Sequence, residues 1–459
     1  MIKRSLLFLS LTSFLLLPRL GFSQLSMLTF SDAQSIMNNH NHLIKAVEKK
    51  EEVHEFELKA TKGLRYPKIG LNASALYFDK GISANLNNLR NGVSGILSIP
   101  NPNLLGDWNF NLMKRDVLFG GAYFLWPVFT GGKINAGIEA AKINAHIGEK
   151  ELISTKNQLI TELAQRYFQV KLADEAVLVR KQILEGMNRH LYNAKKLEDN
   201  GIIAPVERLQ ADVAVAEADR QYKASLKDAS LARVALSNTL NSEEEIGDLI
   251  TDFFTTPFLQ PLEYYQESAI ANYPELQKVR LQIELAEQGV KAKKSSYYPT
   301  VLALGQTVLV HNTPLGFGDK NDKPWVLGVG LTYPLFEGLQ SKNEIRAAKA
   351  TKESAELYEK KAHADIKTMI EKIYNDLQKQ EEQIQSFNVQ VNQAEELLRA
   401  RSLSFSEGLA TSLDVVDAEM NLSGILLQKL QARYNYVIDL ASLLEYSGLS
   451  QEFIQYMNQ

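Results

Sequence analysis

Few residues in this 459-residue chain have the type and spacing to do chemistry. Gly131-Gly132-Lys133 ends like a phosphate-binding loop, but such a loop needs glycine where Pro127 stands and Ser or Thr where Ile134 stands. Seven histidines are scattered at 40, 42, 54, 146, 190, 311 and 363, with no His-Glu-x-x-His pair and no cysteine to join them. His40 and His42, two apart, would not share a helix face, so the histidines read as solvated or loop residues rather than zinc ligands. No catalytic constellation, metal site or cofactor is expected, and nothing points to nucleic acid.

What remains is a pair of acids near one of two similar turns. Asp414 and Asp417 stand three apart, hence on one helix face. They follow Ser406-Glu407-Gly408-Leu409-Ala410-Thr411-Ser412-Leu413. The other turn reads Glu198-Asp199-Asn200-Gly201-Ile202-Ile203-Ala204-Pro205-Val206-Glu207. Gly201 and Gly408 serve as helix stops, with Pro205 or Ser412 at the next helix start, so each turn is expected to be a helical hairpin tip. At a helix start such acids complement the dipole, which is the plain reading of the pair.

The elements that must carry these tips are long helices. From Lys133 to about Asn200 no proline interrupts the chain, and about 67 residues at 1.5 Å each would span about 100 Å. Ser341 to Glu407 is likewise free of proline. Apolar residues every seven positions, Leu163, Val170, Val177, Leu184 and Leu191, mark a coiled-coil-like seam. Shorter return helices are expected over Pro205 to Thr239 and Leu413 to Tyr446, with further helices over Ser31 to Lys62 and Glu263 to Ser295.

The chain is written twice. Trp126-Pro127-Val128-Phe129-Thr130-Gly131 returns 207 residues later as Tyr333-Pro334-Leu335-Phe336-Glu337-Gly338, and the register holds through Gly201 with Gly408 and Glu207 with Asp414. Upstream the offset is 232, where Tyr66-Pro67 meets Tyr298-Pro299. The extra 25 residues fall between Pro67 and Pro127, in a stretch rich in turn formers that reads as a surface loop. Each repeat reads as helix, two strands, long helix and return helix, giving divisions at 24–240 and 262–459 with a connector at 241–261. Ile69, Leu71, Ala73, Ala75 and Tyr77 share one strand face, and Trp325, Leu327, Val329, Leu331 and Tyr333 another, with small or polar residues between. That alternation suits a membrane barrel or the edge of a soluble sandwich.

Residues 1–23 carry Lys3 and Arg4, an apolar stretch from Ser5 to Leu17, and small residues Gly21 and Ser23. This is a secretory signal peptide pattern, with cleavage expected before Gln24. Its removal takes three cations and no acid, moving the formal net charge from -4 to -7. With no cysteine, the processed chain is expected to carry neither a lipid anchor nor a disulfide. Composition is otherwise ordinary, with 45% hydrophobic residues and mean hydropathy -0.19, and no later uncharged apolar stretch suits a transmembrane helix.

With the duplication, the Tyr-Pro-Leu-Phe-x-Gly strand end and the tip Gly408-x-x-x-Ser412-Leu413-Asp414-Val415-Val416-Asp417-Ala418, the chain resembles the TolC-like outer membrane efflux proteins over essentially its whole mature length. The resemblance implies an α+β membrane protein and a homotrimer. Each protomer gives four strands to one shared barrel, continued by a periplasmic α-helical barrel. It further implies a non-enzymatic exit duct for efflux or type I secretion. The duct sits in the outer membrane and works with a periplasmic adaptor and an inner-membrane pump that engage the tips at Gly201, Gly408 and Ser412. By position, Asp414 and Asp417 match the family's acidic rings, Glu207 an acid of the first tip, and Phe405 a tyrosine. Ala410 stands where the best-studied pattern has arginine. The motif Pro127, Phe129, Gly131 and its counterpart Pro334, Phe336, Gly338 would join barrel to helix. The competing reading is a soluble periplasmic helical-hairpin adaptor, against which the duplication counts.

Overall fold

The computed structural model describes residues 25–242, 246–312 and 323–457. The signal peptide expected at 1–23 and most of the loop expected from His311 to Pro324 lie outside the described residues. In chain order the elements are β1 (Leu25–Leu28), α1 (Phe30–His40), α2 (His42–Lys62), β2 (Lys68–Tyr77), β3 (Ile82–Asn85), α3 (Asn87–Ile96), β4 (Asn109–Met113), β5 (Asp116–Thr130) and α4 (Lys133–Asp199). There follow α5 (Pro205–Leu240), β6 (Ile246–Leu249), α6 (Leu262–Asn272), α7 (Pro274–Lys294), β7 (Thr300–His311), β8 (Trp325–Thr332), α8 (Gln340–Ser406), α9 (Ser412–Tyr446) and α10 (Phe453–Met457). Among the described residues no helix is long and apolar enough to cross a membrane. Two compact units result, one from residues up to 45, 155–273 and 366 onward, the other from 46–154 and 274–365.

The second unit is built on an antiparallel sheet ordered β2-β5-β7-β8. Its register aligns Ile69 with Phe124, Phe124 with Gly305, and Gly305 with Leu327. Side chains alternate across a sheet, so Ile69, Leu71, Phe124, Trp126, Leu327 and Val329 share one face. That face is bare: Leu71 is 78% exposed and Val329 72%. The opposite face carries Gly70, Asn72, Ser74, Gln306, Gly328 and Gly330, with the Tyr123 ring lying across Gly70. Both edge strands, β2 and β8, lack a second strand partner among the described residues.

The two copies of the strand-end motif differ in structure. Trp126 to Thr130 stays in β5, where Pro127 pairs with Leu302 and Thr130 with Thr300. Tyr333 to Gly338 lies beyond the end of β8. The reason is register against β7: Thr130 and Thr332 both meet Thr300, its first residue, so β5 keeps a partner through its copy of the motif while β8 runs out of one before Tyr333. Leu335 and Phe336 are left more than four-fifths exposed.

The insert expected to be a loop is organised. Strands β3 and β4 pair, and α3 sits between them. The turn-forming asparagines tie its backbone together: Asn85 Oδ1 accepts from the Asn87 amide at 3.0 Å and Asn87 Oδ1 from the Trp108 amide at 2.8 Å. Arg90 is buried and donates to the Gly106 carbonyl at 2.7 Å.

The single helices expected over 31–62 and 263–295 are each broken. Asn41, extended at φ -62 and ψ 126, separates α1 from α2 and caps the latter, its Oδ1 accepting from the Leu43 amide at 2.8 Å. Tyr273 is extended at φ -64 and ψ 118 because Pro274 follows it. The connector also holds a strand that the sequence reading lacked, β6, paired parallel to β1. Beside this ribbon Phe30 meets Tyr167 edge-on at 5.5 Å and Phe453 at 5.1 Å. The Tyr167 hydroxyl donates to the Leu28 carbonyl at 2.7 Å and accepts from the Thr251 amide at 3.1 Å, so its burial leaves no polar group unpaired.

Candidate functional site

Both tips lie in the first unit and end their long helices alike. Gly201 has φ +72 and Gly408 φ +73, a left-handed conformation that glycine adopts without a Cβ penalty. The Gly201 amide donates to Glu198 O and the Ile202 amide to Leu197 O, both at 2.8 Å. Gly408 and Leu409 repeat the pattern on Phe405 O and Ser404 O. These are Schellman closures, which satisfy carbonyls the helix end would leave unpaired.

Helix α9 starts at Ser412, with Thr411 as its cap: the Thr411 hydroxyl accepts from the Asp414 amide at 3.2 Å while Asp414 Oδ2 accepts from the Thr411 amide at 2.9 Å. Asp414 also pairs with Arg401 at 3.0 Å. The Thr411 contacts, aided by Arg401, hold its carboxyl below the ordinary 3.8. Asp417 is exposed and makes no hydrogen bond or ion pair among the described residues.

Ser412 instead turns inward, fully buried, and joins the two tips. Its amide donates to Glu207 Oε2 of the first tip at 2.6 Å, and its hydroxyl meets His190 Nε2 of α4 at 2.7 Å. The His190 ring lies 4.6 Å from that of Phe405, which is itself buried with Ala194, Ala211 and Val415. Phe405 is thus a core residue of the tip, a place where a tyrosine hydroxyl would need a partner. Burial pushes the His190 pKa below 6.5, with the Glu207 charge opposing the shift. On the first tip, Arg208 bridges Glu198 at 2.6 Å and Asp212.

His190 was passed over in the sequence because nothing in its neighbourhood shows that it is buried against another hairpin. The cap was legible, since Thr411-x-x-Asp414 before an apolar run is a capping-box signature. A second buried acid on α9, Glu419, packs its carboxylate over Gly186, where a Cβ would stand 2.4 Å from Oε1. Burial raises its pKa and Arg189 opposes that.

The barrel-to-helix residues lie in the other unit. Pro127 and Phe129 are in β5, and Gly131 follows with φ +61. A Cβ at Gly131 would come within 2.6 Å of the Ser295 carbonyl. Gly338 has φ +59, but no atom lies within 4 Å of where its Cβ would stand.

The chain matches the family described as outer membrane efflux protein over residues 35–242 and 266–449. The alkaline protease secretion protein AprF of Pseudomonas aeruginosa is 23% identical over 321 residues, 67% of this chain and 65% of that protein. The outer membrane protein TolC of Escherichia coli is 22% identical over 312 residues, 64% of this chain and 62% of that protein. The matched region is therefore under two thirds of the length of either relative. Among solved structures, CusC superposes with a TM-score of 0.76 at 14% identity, covering 91% of this chain and 92% of that one, a likeness of fold. Because the family match takes in all four strands of the sheet, both long helices and both tips, the chain belongs to the outer membrane efflux protein family.

Proposed function

We propose that this protein is an outer-membrane exit channel for efflux or type I secretion, working as a homotrimer with a periplasmic adaptor and an inner-membrane pump. The observation that carries the reading is the sheet. Four antiparallel strands with two open edges and a bare apolar face cannot close alone, since the smallest closed membrane barrels have about eight strands. Three copies sharing one barrel would pair every edge and turn each apolar face to lipid. Family membership supports a transport role rather than an enzymatic one, and it sets aside the soluble adaptor.

In this reading the helical body stands in the periplasm and the tips form its far end. Gly201, Gly408 and Ser412 shape the surface that an adaptor meets. Gating falls to the contact between the hairpins, with Glu207 and Phe405 as its structural parts and Asp417 as the acid free to face a lumen. Asp414 acts first as a helix cap. The repeat division at 24–240 and 262–459 is supported by element spacing: α2 and α7 are both 21 residues long and start 232 positions apart, and α4 and α8 are both 67 residues long and start 207 apart.

Two measurements test the channel. The mass of the complex weighed natively in detergent should be that of three chains, each lacking residues 1–23. Planar bilayers should show discrete conductance from the same preparation. A stable conducting monomer, or a protein recovered only from the soluble periplasm, would overturn the reading.

A further inference from the structure

Where the sheet ends at its helical side, the residues form a collar whose charge differs from that of the chain. The chain carries a formal net charge of -4, yet 59–68 holds Lys59, Lys62, Arg65 and Lys68 with no acid, and 291–299 holds Lys291, Lys293 and Lys294 with no acid. Lys59, Lys291 and Lys293 are neutralised by Glu55, Glu287 and Glu344. Among the described residues Lys62, Arg65, Lys68 and Lys294 make no ion pair. Exposed aromatics stand among them: Tyr66 and Tyr298 just before β2 and β7, and Trp126 near the end of β5.

One of these cations borders a cavity. A space of about 340 Å³ is lined by Arg65, Trp126, residues 127–130, Gly132, Ile134 and Asn135. The Trp126 indole donates to the Arg65 carbonyl at 2.9 Å, fixing the residue beside the ring. The Arg65 guanidinium donates to Asn135 Oδ1 at 2.9 Å, a neutral partner that leaves its charge uncompensated. Trp126 belongs to the bare apolar face of the sheet, so the cavity opens where that face gives way to polar residues. An indole suits such a boundary, and a planar guanidinium suits the oxygens of a phosphate.

We propose that this cavity holds the phosphate headgroup of a phospholipid from the periplasmic leaflet, with Arg65 as the anion contact and the acyl chains lying along the apolar sheet face. The inference rests on the reading that the sheet lies in the outer membrane. The occupant is a phospholipid rather than a free anion because the cavity is continuous with apolar surface that only acyl chains would cover. The site is specific to one half of the protein. The second-repeat position matching Trp126 is Tyr333, beyond the end of an edge strand, and the position matching Arg65 is Tyr297.

The test uses the intact assembled protein in neutral detergent, titrated with phosphatidylglycerol or with inorganic phosphate and read by native mass spectrometry. Wild type should retain up to one phosphatidylglycerol per protomer. Arg65→Gln should weaken retention about fivefold, the effect of one basic residue at a membrane surface. Arg65→Lys should restore most of it, and Lys114→Gln, at the other end of the sheet, should change nothing. Equal retention by wild type and Arg65→Gln, or displacement by inorganic phosphate at the lipid's own concentration, would overturn the proposal. Should Arg65→Gln still conduct in bilayers while lipid retention is unaltered, the lipid site falls and the channel stands. A wild-type protein that fails to enter bilayers would take both down.

Discussion

Glu207→Ala should loosen the closed tip more than removal of either acid predicted to ring the lumen. The carboxylate accepts a charge-assisted hydrogen bond at 2.6 Å from the Ser412 amide, one of the donors that the start of α9 cannot pair internally. A bond of this kind contributes about 1.5–3 kcal/mol, and its loss leaves a half-buried amide unpaired. At about 1.4 kcal/mol per factor of ten, opening of this junction should rise roughly 10- to 150-fold. Ser412→Ala keeps that amide but loses the hydroxyl contact to His190, worth about 0.5–1.5 kcal/mol, or roughly 2- to 12-fold. Asp417→Ala removes an exposed side chain without partners and should stay within about 0.5 kcal/mol of wild type. Amide hydrogen exchange across 404–416 in the assembled protein reads these ratios directly. Protection in Glu207→Ala within twofold of wild type, or equal deprotection by Asp417→Ala, would refute the view that Glu207 ties the hairpins together.

Acidification should loosen the same junction through His190. Its folded pKa lies below 6.5, so as pH falls from 6.5 toward that lower value the opened form takes up a proton that the closed form refuses, and closure weakens. Asp414 acts in the same direction at lower pH, since its capping contribution is present above 3.8 and is lost only as pH falls through its lower folded value. Loosening between pH 7 and 5 therefore belongs to His190, and His190→Gln should flatten the exchange profile there. Block by multivalent cations in planar bilayers should weaken in Asp417→Asn with tip protection unchanged, whereas Asp414→Asn should fray the first turn of α9. Gly131→Ala should destabilise the strand-to-helix junction, measured by thermal melting, because its Cβ would press on the Ser295 carbonyl at a left-handed φ, while Gly338→Ala carries only the backbone penalty of about 1 kcal/mol.

Much of the framework was readable because it is periodic. Heptads and the absence of proline set α4 and α8 to within a residue of their observed ends, and glycine stops located both tips. The breaks at Asn41 and Tyr273 were written in the chain as a capping asparagine and a proline, yet continuous helical patterning on either side masked them. The β1–β6 pair was hidden because four-residue strands carry too little alternation to register. At the tips, sequence placed the acids but not their partners. Arg401 and Asp414 meet across one turn, whereas His190 and Ser412 are 222 residues apart and meet only because two hairpins pack.

The open edges of β2 and β8 also bear on biogenesis. A protomer that has left the inner membrane but not found its companions carries two rows of unpaired backbone groups and a face of exposed Ile, Leu, Val and Trp. Such an edge is a template for any extended chain, so the solitary protomer is an aggregation hazard for as long as it persists. In the proposed shared barrel, pairing with identical edges would remove the hazard and create the lipid-compatible surface in the same event. Membrane insertion and subunit association would then be one step, and the yield in the membrane should rise more steeply than in proportion to synthesis.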